Sequence, residues 1–173
     1  MIVSLPELAD RLASYDFGPE MSAADISGPP SSFSLEFFSR SLEETDRIGE
    51  ILAAVLRPGT VVALNGTLGA GKTRLVQAIA AVLGVPPETV TSPTFVLIQE
   101  YRGGKMPIFH FDAYRLRDED EFLQLGPEEY FDADGVSFVE WAERVSVCLP
   151  WRRWEIFIEH HGAEERKFTL RVR

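Results

Sequence analysis

The sequence has 173 residues, 45% of them hydrophobic and 25% charged, a composition that predicts one globular domain with a core of its own. Its formal charge of −10 would repel phosphate backbones, so autonomous binding of RNA or DNA is disfavoured. The single cysteine, Cys148, excludes an internal disulfide, and the chain shows neither an apolar run of membrane length nor a basic secretory signal, so we expect a cytoplasmic protein with no membrane association.

The first 32 residues differ from the rest of the chain in their composition. Leu5, Leu8 and Leu12 could share one face of a short helix, and stretches rich in glycine, proline and serine then interrupt regular structure. We predict that residues 1–32 are an N-terminal extension, partly disordered, ahead of a domain that spans residues 33–173.

The next part of the chain predicts a strand, a helix and a second strand. Residues 33–38 form the first strand, and Ser41 opens a capping box that begins the helix. A Pro-Gly pair ends the helix, and residues 60–64 are a short apolar run typical of a buried parallel strand. The side chains expected on one face of this helix are Leu42, Thr45, Ile48, Leu52 and Leu56.

Beyond residue 72 a helix is expected to run to Gly84, and the rest of the chain alternates short strands with short helices. The expected strands are 96–101, 107–112, 136–141, 154–160 and 166–173, and the expected helical segments are 118–125 and 128–131. Two of the connections between strands are short turns that contain glycine. They predict antiparallel hairpins, and the alternation of the last pair predicts one face in water.

Residues 66–73 read G-x-x-x-x-G-K-T, the pattern of a phosphate-binding P-loop. Its glycines permit positive φ angles, so that successive N–H groups can converge on phosphate oxygens. Lys72 would reach the β- and γ-phosphates, and the Thr73 hydroxyl would ligate Mg²⁺. The alternative is a glycine-rich turn with a chance Gly-Lys-Thr. The strand before the motif and the helix after it favour the P-loop.

These elements together predict an α/β fold. The strand before the loop should lie inside a parallel sheet, and the two hairpins add antiparallel strands. We expect a single P-loop NTPase domain with a mixed parallel and antiparallel sheet flanked by helices.

Two apolar strands end in an acidic residue, Asp112 and Glu140. Ligands in open α/β sheets lie beyond the carboxyl ends of the strands, beside the P-loop. An acid there can hold Mg²⁺ or orient the attacking water, and phosphoryl transfer needs both. The alternative is a pair of solvated strand-end carboxylates, and the residues alone do not assign the two roles.

A hydroxyl-rich loop and one histidine complete the set of candidates. Thr91, Ser92 and Thr94 surround Pro93 and fit either a loop that senses the γ-phosphate or an ordinary turn. His110 lies within a strand, which favours a packed, hydrogen-bonded histidine over a catalytic one. A guanine-reading N-K-x-D box is lacking, so a standard GTPase is disfavoured, and an arginine-rich kinase lid is not evident either.

Five stretches of the chain, taken together, resemble the TsaE family, the small bacterial ATPases of tRNA threonylcarbamoyladenosine (t6A) biosynthesis. They are the loop at 66–73, S-P-T-F at 92–95, H-F-D-A-Y-R-L at 110–116, the segment 121–126 and E-W-A-E-R at 140–144. The resemblance covers about residues 33–173 in the same order. Two positions depart from it, because Thr67 and Ala113 stand where the family usually has Asp and Leu.

The resemblance implies a set of site residues. Asp112 matches a catalytic acid that acts with Lys72, and Thr73 and Glu140 match the magnesium ligands. ATP would be bound by Thr45, Gly66, Gly69, Ala70, Gly71, Lys72, Thr73, Arg74 and Arg166. We expect the Arg74 side chain to point away from the γ-phosphate and the Lys72 side chain to face solvent when the site is empty.

The function implied by the resemblance is Mg²⁺-dependent ATP hydrolysis in a t6A-synthesising complex, with TsaD- and TsaB-type proteins as partners. The residues alone indicate a small P-loop NTPase that is not GTP-specific. Two alternatives stay open, a small-molecule kinase and an interaction module that uses ATP as a structural ligand. We expect slow hydrolysis by the isolated chain, because Arg74 is the only arginine between the loop and Pro93.

Overall fold

The computed structural model describes residues 2–15 and 33–173, and these ranges contain a seven-stranded mixed sheet. The strands are β1 (Phe33–Ser39), β2 (Val61–Asn65), β3 (Ile98–Tyr101), β4 (Ile108–Asp112), β5 (Val136–Glu140), β6 (Trp154–His160) and β7 (Arg166–Val172). Their order across the sheet is β1-β7-β6-β2-β5-β4-β3. The four central strands, β6, β2, β5 and β4, run parallel, and the pairs β1–β7, β6–β7 and β3–β4 are antiparallel. The predicted α/β fold with a mixed sheet is confirmed.

Helices cover both faces of this sheet. The α-helices are α1 (Leu5–Ser14), α2 (Leu42–Ala53), α3 (Lys72–Val82), α4 (Glu119–Leu123) and α5 (Pro127–Phe131). Along β2, Val62 and Leu64 join the core under α1, α2 and α3, whereas Val61 and Ala63 join the core under α4 and α5. A strand buried on both faces must be apolar throughout, which is why β2 reads as an unbroken apolar run.

Local sequence explains where α2 begins and why it lies so close to α3. The Ser41 hydroxyl accepts a hydrogen bond from the Glu44 N–H (3.2 Å), and the Glu44 carboxylate accepts one from the Arg40 N–H (2.8 Å). Gly49 then allows close approach, since a Cβ placed there would lie 2.5 Å from the Cβ of Ala78. This contact sets α2 directly against the helix that follows the P-loop.

Two sequence-based expectations about the strands need correction. The strand expected at 96–101 begins only at Ile98, because the chain turns at Pro93, whose carbonyl accepts from the Leu97 N–H (2.7 Å), and Leu97 has a φ of 68°. The water-facing side expected for the last hairpin is present in β6 at Phe157 and Glu159, but it does not extend to Glu155, which is buried. Its carboxylate accepts hydrogen bonds from Arg153 at 3.0 and 2.8 Å, so an ion pair replaces the water that the alternation pattern indicated.

The described part of the N-terminal extension packs against the domain. The helix expected from its leucines is present as α1, and Leu8 and Leu12 are fully buried in the core shared with α2. The Val3 N–H donates to the Glu36 carbonyl of β1 (2.8 Å), which ties the segment to the edge of the sheet. Most of the stretch predicted to be disordered lies outside the described residues, and the domain boundary at residue 32 stays a prediction. Within the described ranges, every helix is too short or too polar to span a membrane.

Candidate functional site

The P-loop lies between β2 and α3, and its glycines are required by its backbone. Gly66, Gly69 and Gly71 have φ angles of 150°, 74° and 111°, which other residues adopt only with strain. Space is also limited, since a Cβ on Gly66 would lie 2.4 Å from the carbonyl oxygen of Ile158 in β6. The loop therefore begins at the carboxyl end of β2 and leads into the amino end of α3, where the helix dipole favours an anion.

The Lys72 side chain is folded back onto the loop instead of facing solvent, which corrects the expectation from the sequence. Its Nζ donates to the carbonyls of Gly66 (2.7 Å) and Thr67 (3.0 Å) and lies 3.9 Å from the centre of the Trp141 ring. Only 4% of the residue is exposed. Burial lowers the pKa of Lys72, and the negative charge of Glu140 opposes that shift.

Glu140 ends β5 directly beside the start of α3. One of its carboxylate oxygens, Oε1, accepts from the Thr73 hydroxyl (2.6 Å) and lies 2.9 Å from Nε2 of His110. Both Glu140 and His110 are buried, at 3% and 0% exposure. Of the two predicted acids, Glu140 is therefore the one bonded directly to the P-loop.

Asp112 ends β4 and pairs in register with Glu140 across the parallel strands. Its Oδ2 accepts from the hydroxyls of Ser92 (2.9 Å) and Thr94 (2.6 Å), and its Oδ1 accepts from the Tyr114 N–H (2.8 Å). The hydroxyl loop is thus more than a turn, because it holds the second acid in place. We use "Asp112 loop" for residues 91–97, which carry these hydroxyls and end at the left-handed Leu97.

The three remaining site candidates differ in their relation to the loop. The Arg166 guanidinium donates to the Ala70 carbonyl (3.2 Å), so it reaches the P-loop from β7. The Arg74 guanidinium pairs with Asp46 on α2. The Thr45 hydroxyl is buried and bonded to Ser39 (2.7 Å) and to the Ser41 carbonyl (3.2 Å), at the start of α2.

The residues present suit a magnesium ion held with a nucleotide. A hydroxyl and a carboxylate oxygen, from Thr73 and Glu140, lie together beside the glycine loop at 66–73, and oxygen ligands of this kind are those that Mg²⁺ prefers. The described residues contain no cluster of three or more acidic, histidine or cysteine side chains that could hold a metal alone.

Sequence reasoning missed two neighbours of these groups. It read His110 as a packed side chain without its bond to Glu140, and it gave Trp141 no part, although the ring covers Lys72 and contacts Tyr114 at 4.9 Å between centroids. The period of two residues along β4 was the available signal for the histidine, because it places His110 and Asp112 on one face. No comparable pattern in the sequence predicts the position of Trp141. This residue has a φ of 56°, and its ring lies over the Lys72 ammonium.

Comparison with known proteins agrees with this architecture. The sequence model of the family described as "Threonylcarbamoyl adenosine biosynthesis protein TsaE" matches residues 39–168. A Bacillus subtilis protein named "tRNA threonylcarbamoyladenosine biosynthesis protein TsaE" is 45% identical over 128 residues, which are 74% of this chain and 79% of that protein. Proteins of the same name from Synechocystis and Aquifex aeolicus are 48% and 37% identical, over 65% and 79% of this chain and 73% and 94% of their own lengths.

A solved structure supports the same assignment at the level of the fold. The crystal structure of Bacillus subtilis YdiB superposes with a TM-score of 0.69 at 36% identity, covering 83% of this chain and 88% of that one. The family model spans most of the domain, including the P-loop, the Asp112 loop and both acids. The chain therefore belongs to the TsaE family, whose named members are proteins of tRNA threonylcarbamoyladenosine biosynthesis.

Proposed function

We propose that this chain binds ATP together with Mg²⁺ and hydrolyses it, in support of the t6A modification of tRNA by a complex that contains TsaD- and TsaB-type proteins. One observation carries the proposal. The carboxylate of Glu140 lies 2.6 Å from the Thr73 hydroxyl, directly beside the amino end of α3 and the glycine loop. Phosphoryl transfer needs this combination of an anion cradle, a cation site and a second acid within reach.

The phosphates of ATP would be held by the loop N–H groups, by the amino end of α3 and by Lys72. To bind them, the Lys72 ammonium exchanges the carbonyls of Gly66 and Thr67 for phosphate oxygens. The exchange replaces neutral acceptors with anionic ones, which attract the ammonium more strongly by Coulomb's law. The Trp141 ring lies over the ammonium and is expected to report its movement.

The cation would be held by Thr73 and Glu140. When bound, Mg²⁺ neutralises charge on the β- and γ-phosphates and aligns them for in-line attack. Asp112 is the acid left to orient the attacking water and to receive its proton, because its neighbours are loop hydroxyls and a backbone N–H.

The arginines of the chain support dependence on partners. Arg74 is paired with Asp46, Arg117 is paired with Glu121, and the Arg115 guanidinium stacks on the exposed ring of Phe95 at 4.2 Å. Of the arginines considered, Arg166 alone contacts the P-loop, through a carbonyl. An arginine supplied in trans raises such rates by roughly 10³–10⁵-fold, so TsaD- or TsaB-type partners are proposed to complete the site. The net charge of −10 assigns the tRNA contacts to those partners.

Calorimetric titration with Mg-ATP tests the nucleotide site. Lys72→Ala should weaken binding by roughly 10- to 100-fold, which corresponds to the ~1.5–3 kcal/mol that hydrogen bonds to charged groups contribute. Lys105→Ala is the matched control, because Lys105 is exposed in the turn between β3 and β4. Unchanged affinity in the folded Lys72→Ala protein would overturn the P-loop assignment.

Steady-state phosphate release tests the reaction and the partners. The isolated chain should turn over slowly, and addition of the TsaD- and TsaB-type proteins should accelerate release. Transfer of phosphate to a small molecule instead of water would identify a kinase. Fast turnover by the chain alone, or stimulation by tRNA without the protein partners, would contradict the proposed dependence.

A further inference from the structure

We infer that His110 is a positioning residue for the metal ligand Glu140: its ring N–H fixes the carboxylate in the orientation in which it meets Mg²⁺ beside Thr73. The inference rests on the proposed function, because the cation and the nucleotide are part of it. His110 has no contact with either in this assignment and acts through Glu140 alone.

The first observation is the convergence of two donors on one oxygen. The Thr73 hydroxyl and the His110 ring both reach Oε1 of Glu140, at 2.6 and 2.9 Å. A carboxylate held by one donor can still rotate about its last bond. Two donors from different elements, α3 and β4, fix both its position and the direction of its other oxygen.

The second observation concerns the ring nitrogens of His110. An ionised carboxylate oxygen only accepts hydrogen bonds, so Nε2, which faces it, carries the proton and donates. The other nitrogen, Nδ1, is buried and has no hydrogen-bond partner in the part of the chain that the structure describes. A histidine retained only to satisfy the core would bond through both nitrogens or be an apolar residue, because a buried polar atom without a partner costs stability.

The third observation is the place of His110 in the sheet. It lies two residues before Asp112 on β4, and side chains two apart on a strand share a face. The ring is fully buried opposite Phe138 of β5, which leaves it a single polar contact toward the site. Metal-ligating carboxylates are commonly held by outer-shell hydrogen bonds, and the loss of such a partner typically costs about 10–100-fold in metal affinity or activity.

The test separates binding of the metal from binding of the nucleotide. A nonhydrolysable ATP analogue is titrated into each protein by calorimetry, first with a chelator and then at increasing Mg²⁺. His110→Phe keeps a ring of similar size without the donor. It should leave the metal-free affinity unchanged and raise the Mg²⁺ concentration at half effect by about 10–100-fold.

Two further variants make the outcome specific. His110→Gln offers an amide N–H near the position of Nε2, so it should recover most of the Mg²⁺ response that His110→Phe loses. Phe111→Leu changes the next residue of the same strand on the opposite face, where Phe111 packs against Phe122 and Tyr130. It should lower the unfolding temperature without moving the Mg²⁺ midpoint.

Ring ¹⁵N NMR spectra of the unmodified protein show which ring nitrogen of His110 carries a proton, so this test does not depend on a variant that folds. His110 should carry a proton at Nε2, and its Nε2 signal should move when Mg²⁺ joins the bound analogue. His160 and His161, both exposed, are the other two histidines and serve as references. A proton found on Nδ1 alone would overturn the inference.

The possible failures are distinguishable. If the unmodified protein does not bind the analogue, or binds it without regard to Mg²⁺, the proposed function itself is wrong. If the unmodified protein responds to Mg²⁺ and His110→Phe responds at the same concentration, the positioning role is wrong while the proposed function stands. Equal loss in His110→Gln and His110→Phe would assign the effect to packing of the ring and would also overturn the role.

Discussion

Asp112 and Glu140 are two carboxylates in equivalent places, and their surroundings differ. Each ends a central parallel strand, they are paired in register, and both are almost completely buried. Glu140 is bonded to the P-loop hydroxyl and to a histidine of the neighbouring strand, both on rigid elements. Asp112 is bonded to two hydroxyls of a loop and to a backbone N–H.

We assign the proposed roles of the two acids, metal ligand and general base, from the hydrogen-bond donors around each carboxylate, because their positions on the strands are equivalent. A carboxylate fixed by donors from a helix and a strand keeps one geometry, which suits a cation ligand. A carboxylate held by a loop can exchange partners when the loop moves, which suits a group that must accept a water molecule. Substitutions of the two acids should therefore change different quantities, the hydrolysis rate at saturating Mg²⁺ for Asp112 and the Mg²⁺ concentration at half effect for Glu140.

The largest effect is expected for Asp112→Asn. The amide cannot accept a proton from the attacking water, so hydrolysis at saturating Mg²⁺ should fall by roughly 10²–10⁴-fold, the usual contribution of a general base. The Mg²⁺ concentration at half effect should not change. Phosphate release measured across a Mg²⁺ series checks both, and a shifted midpoint in this variant alone would reverse the roles of the two acids.

The next effect is that of Glu140→Gln. Removing the charge should shift the Mg²⁺ midpoint upward by about 100-fold, the upper end of what outer-shell partners cost. Hydrolysis should recover in part at high Mg²⁺. Glu143→Gln is the matched control, because Glu143 is an exposed acid three residues further along the chain. An equal shift in that variant would point to general electrostatics instead of ligation.

A smaller effect should come from the hydroxyls of the Asp112 loop. Ser92→Ala and Thr94→Val each remove one hydrogen bond to Asp112, worth about 1 kcal/mol, so each should change the hydrolysis rate by roughly five-fold. The amides of Val96 and Leu97 should exchange with solvent faster. Thr89→Ala removes a loop hydroxyl that bonds to the Pro86 carbonyl, away from Asp112. If it altered exchange as much as the other two variants, the loop would not depend on Asp112.

The smallest effect concerns the pKa of Lys72. Burial lowers this pKa, and of the two strand-end acids Glu140 opposes the shift more than Asp112 does. Glu140→Gln should therefore lower the pKa further than Asp112→Asn does. The chain has three lysines, so NMR titration of their Cε signals resolves the difference, and an equal response to both variants would contradict the comparison.

The sign of the matching stability effect follows from the same shift. The folded protein loses the Lys72 proton at a lower pH than the unfolded chain, whose lysine has the ordinary pKa. The destabilisation from the buried cation is then fully present below the folded pKa and is relieved as the pH rises above it. Lys167 is the internal contrast, since the hydrogen bond that its ammonium donates to Glu36 raises its pKa, and its stabilisation is lost as the pH rises through the folded value.

Features carried by local sequence could be predicted, and features carried by long-range contacts could not. The P-loop, the strand before it, the helix after it and the acids at strand ends each follow from a short pattern. The bonds that distinguish the acids join residues 20, 30 and 67 positions apart, and they depend on strand order and register. No periodicity within one element contains that information.

Two other errors have the same origin. Lys72 was expected in solvent because its partners, two carbonyls and the Trp141 ring, come together only in the folded loop. The alternation along β6 predicts that Glu155 faces water. It does not show that Arg153 and Arg173 pair with the Glu155 carboxylate and allow its burial. In both cases a charged side chain was read without the partner that allows its burial.

The contacts that β6 and β7 make with the P-loop affect when, during synthesis, the loop can reach its folded conformation. The loop at 66–73 is synthesised before β5, β6 and β7, but β2 lies between β5 and β6, Gly66 lies against Ile158, and Arg166 donates to the Ala70 carbonyl. A nascent chain that ends before residue 150 therefore carries the complete motif without the contacts from β6 and β7 that hold the loop. Under the proposed function, we expect ATP to be bound only after the hairpin of β6 and β7 has left the ribosome.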